Sequence, residues 1–158
     1  MSSHQPVVTD QILDLIESRS DEQRGNRRMS KEVVQALKDC GFYTMMLPKK
    51  WGGQEQRPQE FFREQIRIAE ADMSTAWASG IIAVHAFQIA LMSEEAQREV
   101  YEADPNTLVS SSYNPVGAKA ASCDGGFMLS GRWGWSSGSE HCSWALLGGV
   151  IPGDGYRT

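Results

Sequence analysis

The sequence predicts an α+β fold: an all-helical N-terminal domain over residues 1–104, then the start of an antiparallel β domain over residues 105–158. Two observations carry this. Apolar residues recur at helical spacing up to about residue 104, and from Thr107 the pattern changes to short β-type runs between Gly-rich turns. The break between the two patterns falls at Asp104-Pro105, a dipeptide that ends helices.

Within residues 7–20, Val8, Ile12, Leu15 and Ile16 form one helical stripe. The polar run SDEQRGNRR that follows reads as exposed helix or as loop. Ser30 is an N-cap for a helix over residues 31–40, with Glu32 in its first turn and Gly41 as its stop. The stretch FYTMMLPKKWGGQEQRP is apolar over residues 42–47, which predicts a packed loop. Pro58 opens a helix that runs to Ala71. Asp72 or Ser74 caps the next helix, residues 73–92, which is uncharged over its whole length. That length would span a bilayer. It carries Ser74, Thr75, Ser79, His85 and Gln88, however, and has no positive flank, so it reads as a helix buried on all sides of a non-membrane protein. Ser93 caps a last helix, EEAQREVY, whose glutamates suit its N-terminus.

In the second half TLVSSSY, GFMLSG and SWALLGGVI read as strands, with a hairpin turn at residues 123–126 and a final turn in PGDGYRT. So few strands leave open edges, and the β domain reads as cut short.

Composition excludes several classes. The net charge is -5, and no Lys/Arg cluster resembles a phosphate-binding stripe, which argues against nucleic acid. Cys40, Cys123 and Cys142 are odd in number and lack CxxC spacing, so neither a disulfide framework nor a zinc site is expected. A reducing cytoplasm fits this cysteine usage. The N-terminus lacks the features of a signal peptide, and His4 lies in a tail with no motif around it. No GxGxxG and no GxxxxGK[ST] is present, so a nucleotide cofactor would have to be held by other means.

Three of the five tryptophans lie in residues 131–144, GRWGWSSGSEHCSW. Read as a strand, this puts Trp133 and Trp135 on one face and Gly134 and Ser136 on the other. Ser136, Ser137 and Ser139 then set hydroxyls beside the indoles. This pattern suits a wall for a flat heteroaromatic ring with polar edges, and it equally suits a hairpin packing its tryptophans into a core. The run LVSSSYNPVGA ends a strand in hydroxyls, as ligand sites and solvated loops both do. On the long helix, Trp77, Ile81, His85, Gln88 and Met92 share a stripe. His85 is then either a pocket-lining base or a core histidine bonded to a backbone carbonyl. Glu140, His141 and Cys142 are adjacent, but neighbours on a strand point to opposite faces, so no metal site or Cys-His dyad is expected there.

The order of these pieces resembles the acyl-CoA dehydrogenase superfamily. The resemblance rests on LPKKWGG at residues 47–53, the apolar helix, SYNP at residues 112–115 and DGGFMLSGRWGWSSG at residues 124–138. Dehydrogenases of that superfamily carry Thr-Glu-Pro and Trp-Ile-Thr where this chain has Tyr113-Asn114-Pro115 and Trp135-Ser136-Ser137. The chain is more similar to the flavin-dependent aromatic monooxygenase branch, the oxygenase components of two-component phenol hydroxylases acting on phenolic secosteroids or 4-hydroxyphenylacetate. That resemblance implies a reduced flavin (FMNH2 or FADH2) delivered by a separate reductase, O2 as co-substrate, a flavin C4a-hydroperoxide and a small aromatic substrate. It implies that Trp135 packs on the flavin ring, that Ser137 faces flavin N5, and that Ser112, Tyr113 and Ser136 complete the cofactor contacts. It also implies that His85 and Trp77 line the substrate pocket, with His85 and Ser137 as catalytic groups. Members carry a C-terminal helix bundle, not found in these 158 residues, and assemble as homo-oligomers, typically tetramers. An acyl-CoA dehydrogenase-type flavoprotein and a non-catalytic truncated paralogue are the rival expectations.

Overall fold

The computed structural model describes residues 6–151. Its helices are α1 (Asp10–Asn26), α2 (Lys31–Asp39), α3 (Pro58–Ala71), α4 (Met73–Ala90) and α5 (Glu94–Tyr101). Its strands are β1 (Val109–Ser112), β2 (Lys119–Cys123), β3 (Gly126–Ser130) and β4 (Trp144–Leu147). His4 and the turn expected in residues 152–158 lie outside the described residues.

Local chemistry sets the helix starts. Ser30 Oγ accepts from Val33 N at 3.1 Å, Asp72 Oδ2 from Thr75 N at 2.7 Å and Ser93 Oγ from Ala96 N at 3.3 Å. Each supplies an acceptor for an N–H that the first helical turn leaves without an internal partner. Pro58 sits at the first turn of α3, where its missing N–H costs nothing. The SDEQRG part of the polar run continues α1, which ends at Arg27 in the left-handed region (φ 52°, ψ 35°).

Residues 42–47 are buried, as their apolar character requires. Phe42 stacks on Phe61 with ring centroids 5.4 Å apart. Around them Val8, Ile16, Leu37, Met45 and Ile68 are fully enclosed, joining α1, α2, α3 and the loop into one core. Truncating a phenylalanine in such a core costs about 3–5 kcal/mol. A second cluster, Leu47, Ala86, Ile89, Tyr101 and Val109, ties α4 and α5 to β1. The start of β1 is thereby fixed against the C-terminal part of α4.

Three expectations need correction. First, α4 is not buried on all sides. Ala76, Ile82, Ala83, Ala86 and Ile89 face the core, while Met73, Trp77, Phe87 and Leu91 are exposed. The helix lacks charge because both its sides are apolar, not because both are covered. Among the described residues no helix is long and apolar enough to cross a membrane. Second, not all pairing is antiparallel. β3 turns at Asp124 and Gly125 as expected, but its antiparallel partner is β2, Lys119–Cys123, which the pattern had not marked as a strand, and β1 pairs β4 in parallel, Val109 opposite Trp144. Residues 113–143 make the crossover that parallel neighbours require. Third, residues 131–136 are not a strand, and Glu140 and His141 lie in a 3-10 turn. The strand alternation expected for Trp133 and Trp135, and for Glu140 to Cys142, therefore does not apply.

Candidate functional site

The end of β1, the outer edge of α4 and residues 131–138 meet on one side of the molecule. Glycines let the backbones approach. A Cβ on Gly148 would lie 2.0 Å from Tyr113 O, and one on Gly138 would lie 2.6 Å from Ile82 Cδ1 on α4. Gly138 also has φ +70°, a conformation that glycine adopts without strain. Ser136 and Ser137 are carried into place by that close contact.

Polar side chains fix the rest. Ser112 Oγ donates to Gly134 O at 2.5 Å and so pins the irregular segment to the end of β1. Trp133 turns inward, and its Nε1 donates to Gly148 O at 2.8 Å. Trp135 has φ +62° and is 98% exposed. The two indoles therefore part, one into the fold and one into solvent. Trp77, 62% exposed, donates from Nε1 to Ser137 Oγ at 3.3 Å. The Tyr113 hydroxyl donates to Gln88 Oε1 at 2.5 Å.

His85 is buried behind this surface, with its ring 6.4 Å from that of Tyr113. Its Nδ1 lies 2.8 Å from Val109 O. A carbonyl only accepts, so Nδ1 carries the proton, and the neutral ring presents Nε2 as an acceptor. Burial lowers the His85 pKa below its usual value, against the opposing pull of the Val109 and Ile82 carbonyls. The ring is thus held neutral and in one tautomer. The carbonyl partner is the one expected of a core histidine, and it is compatible with a base.

The structure brings Trp77 to Ser137 and Tyr113 to His85, and it sets Ser112 against Gly134 beside Trp135. It does not place Trp135 and Trp133 together. Spacing had not pointed to the Val109 carbonyl as the partner of His85, since nothing marks a backbone acceptor in a sequence. Nor had it predicted a cavity of about 420 Å3 beside Ser136 and Ser137, between the end of α1 and the start of α4. Arg24, Arg27 and Arg28 border it, residues read before only as part of a polar run.

The donor set fits a flavin. An indole that is almost wholly exposed lies next to two serines, and a ring stacked on it would find hydroxyls at its edge. Among the described residues no group of three His, Cys, Asp or Glu could hold a metal ion.

Residues 6–103 match the family model described as acyl-CoA dehydrogenase, N-terminal domain. The chain is 42% identical over 149 residues to the flavin-dependent monooxygenase, oxygenase subunit HsaA, of Mycobacterium tuberculosis, covering 94% of this chain and 38% of that protein. It is 33% identical over 141 residues to the FADH(2)-dependent resorcinol hydroxylase, oxygenase component, of Rhizobium sp., covering 89% of this chain and 34% of that protein. The crystal structure of 3-HSA hydroxylase from Rhodococcus sp. RHA1 superposes with a TM-score of 0.91 at 38% identity, covering 100% of this chain and 42% of that one. The chain spans under half the length of each of these relatives.

Proposed function

Because this chain belongs to the acyl-CoA dehydrogenase family through its N-terminal domain, we propose that it is the N-terminal part of an oxygenase component of a two-component flavin-dependent monooxygenase. The helical domain is residues 1–104 and the β domain begins at residue 105. The substrate is a phenolic or other small aromatic compound. Reduced flavin, FMNH2 or FADH2, comes from a separate reductase, and the enzyme works in the cytoplasm as a homo-oligomer, a tetramer.

The observation that carries this reading is His85, a buried, neutral imidazole with Nδ1 committed to Val109 O. Its Nε2 acts as the base that removes the proton from a phenol hydroxyl, which raises the electron density of the ring. Tyr113 and Trp77 flank its approach. Trp135 stacks on the flavin ring, Ser112 and Tyr113 offer backbone groups to its polar edge, and Ser136 adds a hydroxyl. Ser137 Oγ accepts from Trp77 Nε1 and keeps a second lone pair and its own O–H, enough to hold the hydrogen on flavin N5. Reduced flavin bound here would supply two electrons to O2, of which one oxygen atom would enter the substrate and the other would leave as water. The exposed apolar side of α4 contributes to a site from which water is kept away.

The test is O2 consumption by the full-length protein when reduced flavin and a phenol are supplied, with no pyridine nucleotide present. Substrate-dependent consumption supports the reading. Reduction of a dye by an acyl-CoA in its place assigns the chain to the dehydrogenases.

A further inference from the structure

Two adjoining cavities form a groove along the C-terminal end of α1. The first, about 420 Å3, lies between Arg27, Arg28 and the Ser136-Ser137 turn. The second, about 270 Å3, continues past Arg28 to Lys31 and His141. The wall is rigid. Gln23 accepts from Ser30 N at 2.8 Å and donates to Thr75 Oγ1 at 3.0 Å, locking the end of α1 to α2 and α4.

Three features mark this groove. Arg27 and Arg28 have no carboxylate partner among the described residues, whereas Arg24 holds Asp21 at 2.9 Å. Arg27 caps the end of α1 in the left-handed region at φ 52°, its N–H bonded to Arg24 O at 3.3 Å, and the turn it makes sets the Arg27 and Arg28 side chains at the groove. The His141 side chain is only 9% exposed, and its Nε2 has no hydrogen-bond partner among the described residues; Glu140 Oε1 is 3.6 Å away. A buried polar nitrogen without a partner is costly unless a ligand supplies one. The acidic groups at the groove are mostly engaged elsewhere. Asp72 accepts from Thr75, and Glu22 lies 3.4 Å from Arg19, which leaves Glu140 as the competing charge.

We propose that this groove binds the oxyanion of an organic ligand, a phosphate or carboxylate group, through the guanidiniums of Arg27 and Arg28 and the Nε2–H of His141. Arginine forks match both groups and give charge-assisted bonds. The groove opens onto Ser136 and Ser137. A ligand whose ring sits there therefore places its acidic group among the arginines. Only this identification of the ligand rests on the flavin reading; the anion site itself does not.

The experiment titrates the full-length protein with inorganic phosphate, following the arginine side-chain and His141 ring signals by NMR. Parallel titrations compare FMN with riboflavin, and 4-hydroxyphenylacetate with phenol. Phosphate should move the Arg27, Arg28 and His141 signals. Arg27→Asn and Arg28→Gln should each weaken it about tenfold or more, the equivalent of one charge-assisted bond. Glu140→Gln should tighten it. Arg27 and Arg28 are exposed, and Asn suits the left-handed position, so Arg27→Asn should melt no lower than the wild type, which separates binding from folding. FMN binding tighter than riboflavin assigns the site to the cofactor phosphate; the acid binding tighter than the phenol assigns it to the substrate. Unmoved signals, or phosphate affinity unchanged in both arginine variants, overturn the proposal even if riboflavin binds. Phosphate bound through these residues, with no affinity for either flavin, keeps the anion site and removes the flavin reading.

Discussion

Trp77 Nε1 on α4 donates to Ser137 Oγ at 3.3 Å, joining two residues 60 positions apart, one from each half of the chain. The bond orients the serine hydroxyl without using its proton. Ser137→Ala in the full-length enzyme should therefore leave flavin affinity within a few-fold and increase H2O2 released per O2 consumed. A coupled peroxidase assay against product yield measures this. Unchanged coupling would remove Ser137 from the chemistry.

His85 makes a separate prediction. As the phenol base it should contribute about 10²–10⁴-fold to hydroxylation. His85→Ala should lose that factor while still binding reduced flavin. Loss of both to the same extent would mean that the residue only holds α4 to β1 through Val109.

The same residue gives a pH signature. Its folded-state pKa lies below its ordinary value of 6.5 because burial opposes the charge. The unfolded chain thus binds the proton more readily, and stability rises with pH through the window between the two values. The stabilisation is complete above 6.5 and is lost as pH falls below it. Urea midpoints measured from pH 7.5 to 5.0 should fall for the wild type, and more steeply than for His85→Gln. Parallel slopes would contradict this origin.

Glu64 is a stability test remote from the site. It is 1% exposed, accepts from Val8 N at 3.0 Å and sits 3.1 Å from Arg67 Nη1. Arg67 also donates to the Val8 carbonyl and to Asp10 at 2.8 Å. Glu64→Ala should cost about 3 kcal/mol, near the low end for breaking a buried pair, because Arg67 keeps Asp10. The shift in urea midpoint at constant slope reads this directly.

The helices were legible because their signals are local. Ser30, Asp72, Ser93 and Pro58 each mark a helix start within a residue or two, and Asp124-Gly125 marks its hairpin. The parallel pairing of β1 with β4 was not legible, since four-residue strands carry no register of their own. Trp135 was misplaced for a related reason. An alternating pattern predicts a strand, while the positive φ is imposed from outside, by Ser112 holding Gly134 and by Gly138 pressed on Ile82. Arg24, Arg27 and Arg28 were discounted as a polar run because their convergence depends on how α1 ends. Resemblance, more than spacing, singled out Trp77, Ser112, Tyr113, Trp135, Ser136 and Ser137. His85 drew notice as a histidine on an apolar helix, but its tautomer became readable only with Val109 in place.

The most direct test of the account is a single turnover of the full-length protein, with pre-reduced flavin, a phenol and ¹⁸O₂, read by mass spectrometry of the product. One labelled oxygen should appear on the aromatic ring, with the yield shifting toward H2O2 in Ser137→Ala. Unlabelled, unchanged phenol, together with flavin reduction by an acyl-CoA, would contradict it.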